Sequence, residues 1–151
     1  MEAKRILVVA NRTAATPRLL EEVHRRAHEE ECEFVLLIPD VTDRRRADWT
    51  LDRAVPLMKR EAHGRVEGIL GGPNAFGSVQ EAVRDGGYDE IIVSTLPRKT
   101  SKWLRRDLIS RIEGLGPPVT VITPGGGMTN RKAAKKLLEL GPGAGLGGGP
   151  G

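Results

Sequence analysis

The sequence predicts an α/β fold: a single three-layer open parallel sheet of five strands with helices on both faces. Three observations carry that expectation. Short continuous apolar runs recur along the chain and read as strands buried on both faces. A segment with helical periodicity lies between successive runs. Gly, Pro, Asp or Thr marks most changes of period. Strict alternation of strand and helix requires parallel crossovers, because a parallel neighbour is reached only by a chain that travels back over the sheet.

The elements follow in order. Arg5-Ile-Leu-Val-Val-Ala10 is the first strand. Thr16-Pro17 opens the first helix, with Thr as N-cap and Pro at the first helical position, where its missing N–H costs nothing. Leu20, Val23 and Ala27 then share one side. Glu33-Phe-Val-Leu-Leu-Ile38 is the second strand. Asp40 to Asp48 reads as a charged loop, followed by a helix from about Trp49 to His63. Pro56 is expected to kink that helix or delay its start. Val66-Glu-Gly-Ile-Leu70 is a weaker third strand, Gly71-Gly-Pro-Asn74 a turn, and Phe76 to Arg84 a short helix ended by Gly86-Gly87. Glu90-Ile-Ile-Val93 is the fourth strand. Thr100 or Ser101 caps a helix carrying Trp103, Leu104, Leu108 and Ile112. Gly114 to Pro118 closes it, and Val119-Thr-Val-Ile122 is the fifth strand.

The 151 residues suit one domain, expected to span 1–124. Residues 125–151 differ in kind. Gly125-Gly-Gly127 is a flexible joint, and Asn130 to Leu140 has the pattern of a small basic helix. The last eleven residues hold seven glycines and two prolines, too little apolar surface to offset their ordering entropy. This tail carries +3 of the chain's net +4, so the globular part is nearly neutral and the clustering of charge matters more than its total. No apolar run is long enough for a membrane helix, and no cleavable leader is expected ahead of the first strand. The single cysteine, Cys32, reads as small, reduced and partly buried, which fits a cytoplasmic location.

The order of elements, the run Asp89-Glu-Ile-Ile-Val-Ser-Thr95, the long helix after it and Pro117-Pro-Val-Thr-Val-Ile122 together resemble the universal stress protein family over roughly residues 4–123. The resemblance implies the strand order 3-2-1-4-5, a nucleotide cleft between the loops after strands one and four, and a homodimer through strand five. That strand is short and bounded by Pro118 and Pro124, which also suits an edge that pairs across a twofold axis. ATP-binding members carry Gly-x2-Gly-x9-Gly-Ser/Thr after strand four. Here those positions are Ser94, Pro97, Asp107 and Leu108. Glycine lets backbone amides approach phosphate, Pro97 has no N–H to donate, and Asp107 adds negative charge. After strand one, where members that bind ATP often have an aspartate, Asn11 stands. These departures argue against ATP bound in the family's manner.

The candidate ligand-binding residues are Asn11, Arg12, Thr13, Asp40, Ser94, Thr95, Arg98, Lys99, Lys102 and Arg106. The fourth helix begins among Arg98, Lys99, Lys102, Arg105 and Arg106, and the topology brings Arg12, Arg18 and Arg44-Arg45-Arg46 to the same edge. Arginine forks and helix N-termini suit phosphate or carboxylate. The alternative is a solvated rim partly neutralised by Asp40, Asp43 and Asp48. Asp40 stands where dinucleotide-binding folds place a ribose acid, but no glycine fingerprint follows strand one, and a turn-forming Asp after Pro39 is the simpler reading. Gly71-Gly72-Pro73-Asn74 reads equally as a phosphate cradle or a plain turn.

His24 and His28 are one helical turn apart, a spacing that permits a shared metal. No third ligand is evident in the sequence, and Arg25 and Arg26 stand between them, so no metal site is expected. Trp49 and Trp103 read as core or interface residues rather than base-stacking platforms. The expectation is a non-enzymatic regulatory or ligand-binding protein, with no cofactor beyond an anionic small molecule or nucleotide. The alternatives are a nucleic-acid-binding protein using the basic edge and tail, and a small nucleotide-dependent hydrolase or transferase.

Overall fold

The computed structural model describes residues 3–11, 13–95, 106–123 and 128–130, with residues 106, 107 and 128–130 described by backbone alone. The elements run β1 (Lys4–Val9), α1 (Pro17–Glu29), β2 (Cys32–Ile38), α2 (Arg44–Ala62), β3 (Val66–Leu70), α3 (Ala75–Gly86), β4 (Glu90–Ser94), α4 (Arg106–Glu113), β5 (Val119–Ile122) and β6 (Met128–Asn130). Strands one to five are all parallel and lie in the order 3-2-1-4-5, as expected. The sheet has a sixth member. β6 pairs antiparallel with β5, Thr120 opposite Asn130. Strand five is therefore not the open edge that its flanking prolines suggest, and pairing continues beyond residue 124. Three residues are too few to read as a strand in sequence; only the partner defines them.

β1 lies between β2 and β4, and its side chains alternate between two cores. Ile6, Val8 and Ala10 join Phe34, Leu36 and Ile38 under α1 and α2, where Leu19, Val23, Ala54 and Met58 cover them. Leu7 and Val9 join Val35, Leu37, Ile91 and Val93 under α3 and α4, covered by Val79, Leu108, Ile109 and Ile112. Each such fully buried aliphatic side chain contributes about 1.5–3 kcal/mol of transfer free energy.

Two helices differ from expectation in their boundaries. α2 begins at Arg44 because Asp43 serves as its N-cap, the Asp43 Oδ1 accepting from the Arg46 amide at 3.2 Å. The Arg44-Arg45-Arg46 triplet is thus the first turn of a helix, not a loop. Pro56 neither delays nor ends α2. An internal proline costs about 3 kcal/mol, and here it sits on the exposed side while the neighbouring Ala54 and Met58 are fully buried against the sheet. α3 is longer than expected at each end, starting from the Asn74 cap, whose side chain accepts from the Gly77 amide at 2.7 Å. Gly68 explains the weakness of the third strand in sequence. A Cβ there would meet Leu51 Cδ2 at 2.8 Å, so the missing side chain leaves room for Leu51 and Val55 of α2 to pack against this edge strand. The capping expected at Thr100 or Ser101, Trp103 and the tail helix lie outside the described residues.

At the amino edge a network of buried charge ties α1 to the sheet. Arg26 pairs with Glu22 in its own helix and with Glu90 at the start of β4, and Lys4 reaches Glu90 at 2.8 Å. Arg25 bridges Glu22 and Glu29. Burial alone would raise the pKa of Glu22, but the hydrogen bonds and charges of Arg25 and Arg26 outweigh it and hold the carboxyl below its ordinary range. A carboxyl depressed in the folded state contributes stability that is present above its unfolded pKa and lost as pH falls through the folded one. We therefore expect stability from denaturant titration to fall as pH drops below about 4.5, the ordinary value for Glu22. Glu22→Gln should lower stability at neutral pH and flatten that acid dependence. An unchanged acid slope in the variant would show that Glu22 carries none of it.

Candidate functional site at the carboxyl edge

In an open parallel sheet, ligands bind outside the carboxyl ends of the strands, where neighbouring crossovers leave on opposite faces. Here that point lies between β1 and β4. The chain from β1 turns into α1, which covers one face, and the chain from β4 leads toward α4 on the other.

The described loops at this edge are laced to one another. Asn11 Nδ2 donates to the Pro39 carbonyl at 3.3 Å, joining the loop after β1 to the end of β2. On the other side, the hydroxyls of Thr13 and Ser94 share a hydrogen bond of 2.7 Å that joins the same loop to the end of β4. The Thr95 amide donates to the Ile122 carbonyl at 2.9 Å. The Val41 amide donates to Gly72 O at 2.7 Å, tying the loops after β2 and β3. The floor of the site is therefore built of polar groups already engaged. Thr13, Ser94 and Thr95 are all buried, Ser94 fully. Of the ten candidate residues, Asn11, Thr13, Ser94 and Thr95 come together. Asp40 follows Pro39, the residue that Asn11 contacts, and has φ of 50°, a left-handed conformation that Asp tolerates and that fits a turn-forming role. Arg12, Arg98, Lys99 and Lys102 lie outside the described residues, and Arg106 is placed only as the first residue of α4.

The Gly71-Gly72-Pro73-Asn74 segment is decided by its donors. The Gly71 amide donates to Ile38 O at 2.9 Å and the Gly72 amide to Ser78 Oγ at 2.9 Å. A Cβ on Gly71 would strike Ser78, which explains the glycine by close packing. The Gly71 amide is spent on the end of β2 and the Gly72 amide on Ser78, so the segment is a strand-to-helix connection. Ser78, the residue that organises it, gave no signal in the sequence because its partners lie one turn back and in the preceding loop.

Charge at this edge is unbalanced. No acidic residue stands in the first turn of α1, α2 or α3, so the positive ends of three helix dipoles carry no carboxylate there beyond the Asp43 cap. Thr16 occupies the N-cap of α1, but its hydroxyl donates to Thr13 O at 2.9 Å and makes no capping bond to the first turn. Arg44, Arg45 and Arg46 are exposed, and no ion pair among the described residues engages them. At the opposite edge Lys4, Arg5, Arg25, Arg26 and Arg65 are all paired with carboxylates. Trp49, one helical turn beyond Arg45, is 61% exposed and has Arg53 stacked 5.4 Å from its ring centroid, so it is not a core residue.

No family model matches the chain, and no curated protein matches it. Solved structures do. One described as a hypothetical protein, PH0823, superimposes with a TM-score of 0.53 at 12% identity, covering 80% of this chain and 96% of that one. At that identity the likeness establishes the fold alone. A groove of about 620 Å³ is lined by Arg5, Glu33, Lys59 and Arg65 at the amino edge and does not adjoin this site.

The Thr13–Ser94 pair yields a test. Ser94→Ala leaves the buried Thr13 hydroxyl without its partner and should cost about 1–3 kcal/mol in denaturant unfolding. Thr13→Val with Ser94→Ala should cost less than the two single changes added together, because the second removes the group the first stranded. Additive costs would mean that the two hydroxyls do not interact.

Proposed function

We propose that the protein is a divergent universal stress protein-type regulatory module that binds a small phosphorylated or carboxylate ligand at its carboxyl edge and does no chemistry on it. The observation that carries this reading is the run of three exposed arginines at the start of α2. Arg44, Arg45 and Arg46 crowd the positive end of the α2 dipole and make no ion pair among the described residues, whereas Arg18 at the start of α1 pairs with Glu21. Like charge at a helix N-terminus is unfavourable by up to about 1 kcal/mol per residue, and an anion seated there relieves it. The strand order, the resemblance over residues 4–123 and the fold shared with the structural neighbour support the family-type reading. The loss of the glycine pattern and the engaged Thr13–Ser94 pair favour a ligand held by side chains above the sheet edge rather than a triphosphate buried in a backbone cradle.

Calorimetric titration with ATP, AMP, a cyclic nucleotide and inorganic phosphate tests this. At least one should bind with micromolar affinity, and replacing Arg44, Arg45 and Arg46 together by Gln should weaken it by about tenfold or more, since each charged hydrogen bond contributes on the order of 1.5 kcal/mol. Binding of none, or binding indifferent to the triple change, would end the proposal.

A second reading is favoured by one observation: exposed Trp49 lies on the same helix as Arg45 and Arg53, each one turn away, an arrangement suited to stacking a base beside its phosphates. Under it, single-stranded nucleic acid binds with steep salt dependence. In the same titration series, Trp49→Ala then weakens the oligonucleotide but not the mononucleotide.

A homodimer is also part of the proposal. β6 now occupies the outer side of β5, so edge pairing would run through β6 or exchange it between copies. Light scattering should give twice the 16.4 kDa chain mass; the mass of a single chain would exclude it.

A further inference from the structure

All three histidines of the chain meet in one place. His24 and His28 lie on α1, and His63 is the C-cap of α2, far away in sequence. Their ring centroids are 4.5 Å apart for His24–His28, 6.2 Å for His24–His63 and 6.4 Å for His28–His63. α1 and α2 cover the same face of the sheet and both end at its amino edge, so the two carboxyl ends converge on the cluster. Glu61, two residues before His63, brings a carboxylate oxygen to 3.2 Å from His24 Nδ1. That nitrogen is buried yet makes no hydrogen bond among the described residues.

We propose that His24, His28 and His63 bind one divalent transition cation of the zinc class, with Glu61 as the carboxylate that orients His24. Metal–nitrogen bonds of about 2.0–2.1 Å in tetrahedral geometry place the ring centroids of three ligating imidazoles about 5 Å apart. As the rings stand, no group of three His, Cys, Asp or Glu among the described residues is arranged to hold a metal. Closing the cluster takes roughly 1 Å of movement by His63 relative to the pair on α1. His28 and His63 are exposed and can rotate to make it.

The electrostatics favour a cation. Two helix carboxyl termini direct their partial negative charge at the site. Arg25 and Arg26, which stand between the two histidines in sequence, are drawn away by Glu22, Glu29 and Glu90. Lys59 and Arg60 on the last turn of α2 are exposed, with long stems that keep their charges in solvent. Neutral imidazole donors select zinc, copper or nickel over magnesium or calcium, which prefer oxygen. A bound ion would clamp α1 to α2. This inference does not depend on the ligand reading above, because the cluster lies at the opposite edge of the sheet.

The test uses the untagged full chain, stripped with a chelator and titrated with Zn2+ against a chromophoric competitor. One saturable site per chain with micromolar or tighter affinity is expected, with a rise in melting temperature on saturation. Co2+ in place of Zn2+ should give the intense visible bands of a tetrahedral site. His28→Gln and His63→Asn should each weaken binding at least about tenfold, and Glu61→Gln by about 10–100-fold. His63→Asn is the informative variant. Its backbone is left-handed, with φ of 54°, a conformation Asn accepts, so the helix end stays capped and circular dichroism should be unchanged. Absence of a saturable site, or an affinity unchanged in both His28→Gln and His63→Asn while the fold is intact, would overturn the proposal.

Discussion

The structure depends on the burial of β1 from both faces. From Ile6 to Ala10 the side chains enter the α1–α2 core (Ile6, Val8, Ala10) and the α3–α4 core (Leu7, Val9) alternately, and all five are fully buried. A strand in that position can have no polar face, which is why Ile6 to Val9 form an unbroken apolar run. It also dictates the architecture. Two helices must cover each face, and the chain must cross from one side of β1 to the other through α3, which joins β3 to β4. That crossing creates the gap between β1 and β4 at the carboxyl edge, so the core of the fold and its candidate site follow from one constraint.

The two edges of the sheet solve different electrostatic problems. At the amino edge, Glu22 and Glu90 are buried and would be costly without partners; Arg26 and Lys4 supply them. The network joins α1 to β1 and β4 and fixes where the carboxyl end of α1 stops. That placement in turn brings His28 beside the end of α2. At the carboxyl edge the polar groups nearest the sheet are satisfied among themselves, through Asn11, Thr13 and Ser94. Arg44, Arg45 and Arg46, at the start of α2, make no ion pair among the described residues. The amides of Gly71 and Gly72 are likewise engaged, in the loop after β3.

The strands, their parallel pairing and the open α/β architecture were legible in the sequence, because burial on two faces and helical periodicity are local patterns that a run of side chains displays. The missing glycine pattern after β4 was legible for the same reason. Boundaries set by a single side chain were harder. Asp43 sits within a charged stretch, Asp40 to Asp48, and only its hydrogen bond to the Arg46 amide marks it as a helix start. Pro56 is a local penalty, and local penalties yield when the flanking Ala54 and Met58 are held in the core. Trp49, for which the sequence leaves core or interface open, is not in the core of the single chain: an aromatic side chain alone does not say which face of its helix meets the sheet.

The fold class, the first five strands and the run of arginines at the start of α2 can therefore be read directly from the chain. Each follows from residues close together in the chain. Tertiary structure alone decided which charges are cancelled, since the partners Arg26 and Glu90 lie 64 positions apart. It alone closed the hydroxyl pair of Thr13 and Ser94, 81 positions apart, and added β6 to the outer side of β5. It also gave His24 and His28 a third neighbour in His63. The reason is the same in each case: ion pairs, hydrogen bonds and ligand geometry depend on distances of a few ångströms, and spacing along the chain sets such distances only within a helix or strand.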